Sequence, residues 1–111
     1  MGKRDQLGHF ELMVLLTLMR LGDEAYGVPI VEELERQTGR EASIGSVYAA
    51  LERLEGKGFV SSALGKPTAE RGGRAKKYFR VTPRGLTEVR EARRNLVRLW
   101  RRLPELEGGN A

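Results

Sequence analysis

The chain has no cysteine, a single histidine and few aromatic residues, 6% of its 111 positions. Without cysteine there are no disulfides, no thiol catalysis and no thiolate metal site. That usage fits a reducing compartment, so a cytoplasmic location is expected. No apolar run reaches the ~18 residues of a membrane span, and no membrane partner is expected. The N-terminal residues place basic side chains ahead of an apolar run, but Glu11 interrupts it and no small-residue cleavage site follows, so it reads as a core helix rather than a signal peptide. Catalysis finds no foothold either. His9 stands alone, the carboxylates are read as lying on solvated helix faces, and no glycine-rich phosphate loop follows a strand. Neither an enzyme nor a metal site nor a cofactor is expected.

What is abundant is positive charge, and it is unevenly placed. Residues 1–65 hold seven Lys/Arg against ten Asp/Glu. Residues 66–80 hold six against one, and residues 81–103 seven against two. Charge gathered in one loop and one helix points to a polyanionic partner, although an arginine-rich solvated surface would carry the same count.

Apolar spacing organises the rest into one small domain without repeats or linkers, large enough to bury roughly two-thirds of its unfolded surface. Residues 7–19 are apolar nearly all round, which predicts a helix covered on most sides, stopped by Gly22 in the left-handed conformation. A second helix is predicted over 27–38, with Pro29 in its first turn and Gly39 ending it. Ile30, Val31 and Leu34 face inward there, with Glu32, Glu33, Glu35 and Arg36 toward water. A third spans 43–58 behind Ser43 as N-cap. Its apolar stripe is Ile44, Val47, Tyr48, Leu51 and Leu54, and its opposite face carries Ala42, Gly45, Ser46, Ala49 and Arg53. Small side chains with one guanidinium let a helix backbone approach a groove closely.

Residues 59–64 and 77–81 read as strands joined by twelve polar, basic residues, too many for a tight hairpin turn. Such a loop would be mobile alone and ordered on a polyanion. Thr82 and Pro83 then open a helix predicted to run to Leu103. Leu86, Val89, Arg93, Leu96, Trp100 and Leu103 recur at 3-4-3-4-3 spacing, a heptad seam that predicts dimerisation. The fold class that follows is mainly α with a small β-hairpin: a winged helix-turn-helix over residues 1–81, a dimerisation helix over 82–103 and a tail over 104–111.

The expected partners are double-stranded DNA and a second copy of the chain. Ser43 and Ser46 suit phosphates near a helix start, though Ser43 serves equally as a plain cap. Tyr48 offers its hydroxyl, its ring belonging to the apolar stripe. Arg53 matches a guanine edge, or pairs with Glu52 or a partner helix. Lys66, Arg71, Arg74, Lys76 and Lys77 in the wing suit phosphate or minor-groove contacts. Strand alternation turns Phe79 and Val81 inward and Arg80 outward. Trp100 is either a dimer-core aromatic or, with Leu96, a platform for a small hydrophobic or aromatic effector. The competing class is a winged-helix module that binds protein and not DNA.

The segments LMRLG at 18–22 with AYG at 25–27, IVEEL at 30–34, SVYAALERLE at 46–55 with Gly58, and GR at 73–74 leading to YFRVT at 78–82 with Gly85 resemble the PadR-type transcriptional regulators in order and spacing. The resemblance covers residues 10–103, with Phe79 where the family usually has tyrosine. It implies a homodimeric winged-helix repressor on an inverted-repeat operator, the third helix in the major groove and the wing along the minor groove or backbone. It also implies dimer contacts from the last helix and the first, Phe10 among them, and effectors that in some members bind between subunits.

Overall fold

The computed structural model describes residues 7–65 and 75–106. Its first helix, α1 (His9–Leu21), starts on a carboxylate: the Gly8 amide donates to Glu11 Oε1 at 2.9 Å, satisfying one of the donors a helix start leaves over. The helix ends at Gly22, which has the positive φ expected there (59°). Its ψ of −120° lies outside the left-handed helical region, however, and the chain passes straight into a 3-10 turn, Gly22–Glu24.

Helix α2 (Gly27–Thr38) has the predicted bounds and closes on Gly39 at φ 71°, whose amide reaches the Glu35 carbonyl at 2.8 Å. Helix α3 (Ile44–Gly56) follows, with the Ser43 hydroxyl oxygen accepting the Ser46 amide at 3.0 Å. It stops two residues early, because Gly58 at φ 82° is already turning toward the hairpin. Strands β1 (Val60–Leu64) and β2 (Lys77–Val81) pair antiparallel, from Val60 opposite Val81 to Leu64 opposite Lys77. Phe59, expected in the first strand, instead precedes it as a buried anchor whose amide bonds the Leu54 carbonyl. The sheet also gains a partner that hydrophobic spacing does not reveal: Tyr26 bridges Tyr78, and the Phe79 amide donates to the Ala25 carbonyl at 2.8 Å.

The core gathers Val14, Leu15 and Leu18 of α1, Ile30 and Leu34 of α2, Val47, Ala50, Leu51 and Leu54 of α3, and Phe59, Val60 and Phe79 of the wing. Each such leucine-sized side chain contributes about 1.5–3 kcal/mol in transfer free energy. Phe79 points inward, Val81 packs half-buried against the core, and Arg80 points out, as strand alternation requires. Three burial assignments need correction. Ile44 and Tyr48 lie at the exposed edge of the α3 stripe, with Ala50 taking the inner position. Glu33, expected in water, is buried. Helix α1 is covered on most sides, as its composition requires, and leaves Leu16 and Met19 exposed.

Helix α4 (Pro83–Trp100) grows out of the wing. The Thr82 hydroxyl accepts the Gly85 amide at 3.0 Å and donates to the Gly58 carbonyl at 2.7 Å, so the cap also ties the helix to the α3–β1 turn. Gly85 sits so close to Phe59 that a Cβ would collide with that residue's carbonyl. The helix ends at Trp100 rather than Leu103: Arg101 is extended and Arg102 takes φ 62°.

Candidate nucleic-acid interface

With Val47, Leu51 and Leu54 turned inward, about 100° per residue places Gly45, Ala49, Glu52 and Gly56 on the outermost face of α3. Its first two turns present almost bare backbone. Ser46 and Arg53 flank that face on one side, and Ile44 and Tyr48 on the other. The Ser43 hydroxyl is committed to the helix start, donating to Ser46 Oγ at 2.8 Å while its oxygen caps the Ser46 amide.

Arg53 has a partner that linear charge spacing did not offer. Its Nε donates to Glu11 Oε2 at 2.8 Å, and Lys57 Nζ donates to the other oxygen of the same carboxylate at 2.8 Å. Glu11 is 5% exposed, whereas the Arg53 side chain remains 54% exposed. Burial alone would raise the Glu11 pKa. The Gly8 amide, Lys57 and Arg53 donate to the ionised form and hold it at about 2. One carboxylate therefore joins the start of α1 to the flank of α3 across 42 residues of sequence. Glu33 plays a similar part between α1 and α2. Its carboxylate accepts from Gln37 at 2.8 Å, Arg20 at 3.1 Å and Arg36, and those donors lower its pKa. Neither carboxylate lies on a solvated face, contrary to the sequence expectation.

The base of the wing is built on aromatic rings. Tyr26 and Tyr78 meet edge-on with centroids 5.2 Å apart, and Lys76 Nζ stands 4.3 Å from the Tyr26 centroid and 3.2 Å from its hydroxyl. Lys77 Nζ lies 5.6 Å from the Phe79 ring, on which Tyr48 also packs edge-on at 6.0 Å. Both lysines line a groove of about 210 Å³ with Tyr26, Gly27, Val28, Ile44 and Tyr48. The starts of α2 and α3 and the foot of the wing thus share one concave surface. Gly27 lies close under Tyr48: a Cβ there would stand 2.5 Å from the Tyr48 hydroxyl, so the ring would have to shift. Lys66, Arg71 and Arg74 lie outside the described residues, as does most of the loop expected to order on a polyanion.

The predicted seam of α4 divides in two. Val89, 7% exposed, belongs to the domain's own core, Leu86 is half-buried, and Phe10 packs half-buried against the same core. Val89 is therefore a domain-core residue and not an exposed seam residue. Beyond Ala92 the pattern opens to solvent, with Leu96, Val97, Leu99 and Trp100 all exposed, Trp100 at 55%. Leu103 is exposed too, but past the helix end. A cleft of about 490 Å³ lies between the end of α1 and the start of α4, lined by Leu18, Met19, Val81 and Leu86 with Asp23 and Arg80 at its rim. It does not include Trp100 or Leu96, since fourteen residues of helix, about 21 Å, separate Leu86 from Trp100. Among the described residues no helix is long and apolar enough to cross a membrane.

A family model described as the transcriptional regulator PadR-like family matches residues 15–91. A transcriptional regulator of Mycobacterium tuberculosis is 35% identical over 89 residues, which span 80% of this chain and 76% of that one. Among solved structures, a PadR family transcriptional regulator from Eggerthella lenta superposes with a TM-score of 0.64 at 30% identity, covering 78% of this chain and 73% of that one. A PadR-like regulator from Bacillus cereus reaches 0.71 over 90% and 92% of the two chains; at 21% identity that likeness speaks for the fold alone.

Proposed function

The chain belongs to the PadR-like family of transcriptional regulators, and from that premise we propose that it is a cytoplasmic, homodimeric repressor that binds an inverted-repeat operator through α3 and the wing. It is a regulator and not an enzyme. The observation that carries the DNA reading is the shared groove: Ile44 and Tyr48 at the start of α3 open onto the same surface as Lys76 and Lys77. A bare helix face suited to close approach stands next to two lysines suited to phosphates, Lys76 held on Tyr26 and Lys77 exposed beside it. Ser46 and the α3 start position the backbone, and Arg53 reads a guanine edge in each half-site. Lys66, Arg71 and Arg74 add positive charge in the sequence between the two strands.

Dimerisation through α4 is supported by the apolar residues exposed beyond Ala92, which a second copy would cover. An aromatic effector would meet Trp100 and Leu96 between the two subunits and would release DNA by shifting α4. Repression and the inverted repeat follow the family's habit.

The test is a salt titration of binding to duplex DNA, for the wild type and for a Lys76→Gln/Lys77→Gln double variant. Each phosphate neutralised contributes about −0.9 to the slope of log K against log salt. The double variant should therefore bind every sequence more weakly and with a slope shallower by about 2 per subunit. An unchanged slope removes the wing foot from the interface. No binding at low salt by the wild type refutes the DNA reading and favours a protein-binding module.

A further inference from the structure

Arg53 is held from behind. Glu11 takes its Nε at 2.8 Å, is itself fixed by the Gly8 amide at 2.9 Å and Lys57 at 2.8 Å, and is almost fully buried. Nε sits on the inner edge of the guanidinium, so the contact leaves the two terminal nitrogens at the outer end of the fork. An arginine without such a hold surrenders rotamer freedom on meeting a base and reaches phosphates as readily as base edges. One whose inner edge is pinned to a rigid helix has a single approach left, end-on.

We propose that Glu11 is a positioning residue for base reading: it orients Arg53 so that the guanidinium meets a guanine through its two terminal nitrogens. The inference rests on the reading of Arg53 as a base contact in the major groove. It adds that the discrimination resides in a pair reaching from α1 to α3. Glu11 also links the two helices structurally, so a loss of stability on its removal distinguishes nothing. Base preference does, because a simple tie between helices has no reason to act on one base pair.

The experiment uses the full chain and an operator selected from a random duplex pool, with every base pair varied in turn. Wild type should prefer guanine over other bases at one position of each half-site by about tenfold or more, and Arg53→Ala should abolish that preference. Glu11→Gln keeps the size of the side chain and removes its charge. It should lower the preference at the same position about threefold or more while leaving the remaining positions within about twofold of wild type. Glu11→Asp, which keeps the charge on a shorter stem, should retain more of the preference than Glu11→Gln. If the glutamine form folds poorly, Glu11→Asp decides: its shorter stem draws the carboxylate back from Arg53, so the preference should fall below wild type at that position alone, and an undiminished preference or an even weakening of all positions overturns the proposal. If Arg53→Ala flattens one position and Glu11→Gln only weakens all sequences evenly, the positioning role is overturned and the Arg53 contact stands. If Arg53→Ala itself weakens all sequences evenly, the base contact is overturned, and the Glu11 role with it.

Discussion

Acid should dissolve the tie between α1 and α3, and by an amount the structure sets. Glu11 ionises at about 2 in the folded chain against an ordinary 4.5: burial opposes the charge, and the donors from Gly8, Lys57 and Arg53 more than offset it. A folded pKa below the unfolded one means that the unfolded chain takes up the proton first as pH falls. The stabilisation is therefore complete above about pH 5 and is lost on the way down to pH 2. The interval from 4.5 to about 2 corresponds to about 3 kcal/mol at pH 7. Of that, about 2 kcal/mol is gone by pH 3. Urea unfolding of wild type and Glu11→Gln, followed by circular dichroism at one protomer concentration, isolates this contribution. Glu33, held low by Gln37 and Arg20, titrates in the same sense in both proteins and cancels from their difference. The gap between the two proteins should narrow by about 2 kcal/mol between pH 7 and pH 3. A gap that stays constant would mean that the Glu11 carboxylate is not held in its charged form by the fold, and the reasoning behind its role would fail.

Two further outcomes follow from α4. Gly85→Ala forces a Cβ into the Phe59 carbonyl, a backbone atom that cannot rotate away, and should cost about 2–3 kcal/mol in thermal or urea unfolding; an unchanged midpoint would show that the junction yields. Leu96→Asp puts a charge into the exposed apolar stretch and should yield monomers in sedimentation velocity with helix content retained, because Leu96 takes no part in the domain's own core. A dimer that persists would move the subunit contact off α4.

The helices were legible because their signals are local. Ser43, Pro29, Gly39, Thr82 and Pro83 mark ends through the geometry of single turns, and the inward stripe of α2 repeats within that helix. The ion-pair framework was not legible. Glu11 reads as an interruption in an apolar run, yet it is the residue around which Arg53 and Lys57 are arranged. Glu33 looks like its neighbours Glu32 and Glu35, and only the packing of α1 on α2 separates it from them by bringing Arg20 alongside. A burial pattern says which face of a helix is inward. It does not say which carboxylate on the margin of that face will meet a cation from elsewhere in the chain. The bridge from Tyr26 to Tyr78 was hidden for a related reason, since one bridged residue has no alternation to detect.

The heptad seam divides for a more instructive reason. Spacing reports that a residue seeks apolar cover, not whose cover it finds. Val89 finds it inside its own domain, while Leu96 and Trp100 are left outside. The first half of α4 is thus bound to the winged domain by Thr82, by the close approach of Gly85 to Phe59 and by Val89. In the proposed dimer that attachment has a geometric consequence. The exposed half of the helix would be clasped by its partner and the buried half fixed to α3 through the Gly58 turn. The separation of the two recognition helices is then set by the direction in which α4 leaves the core. In that arrangement the direction would be decided at Thr82 and Gly85, about 20 Å from the proposed subunit contact, and the spacing of operator half-sites would be encoded in a helix cap rather than in any residue that touches DNA.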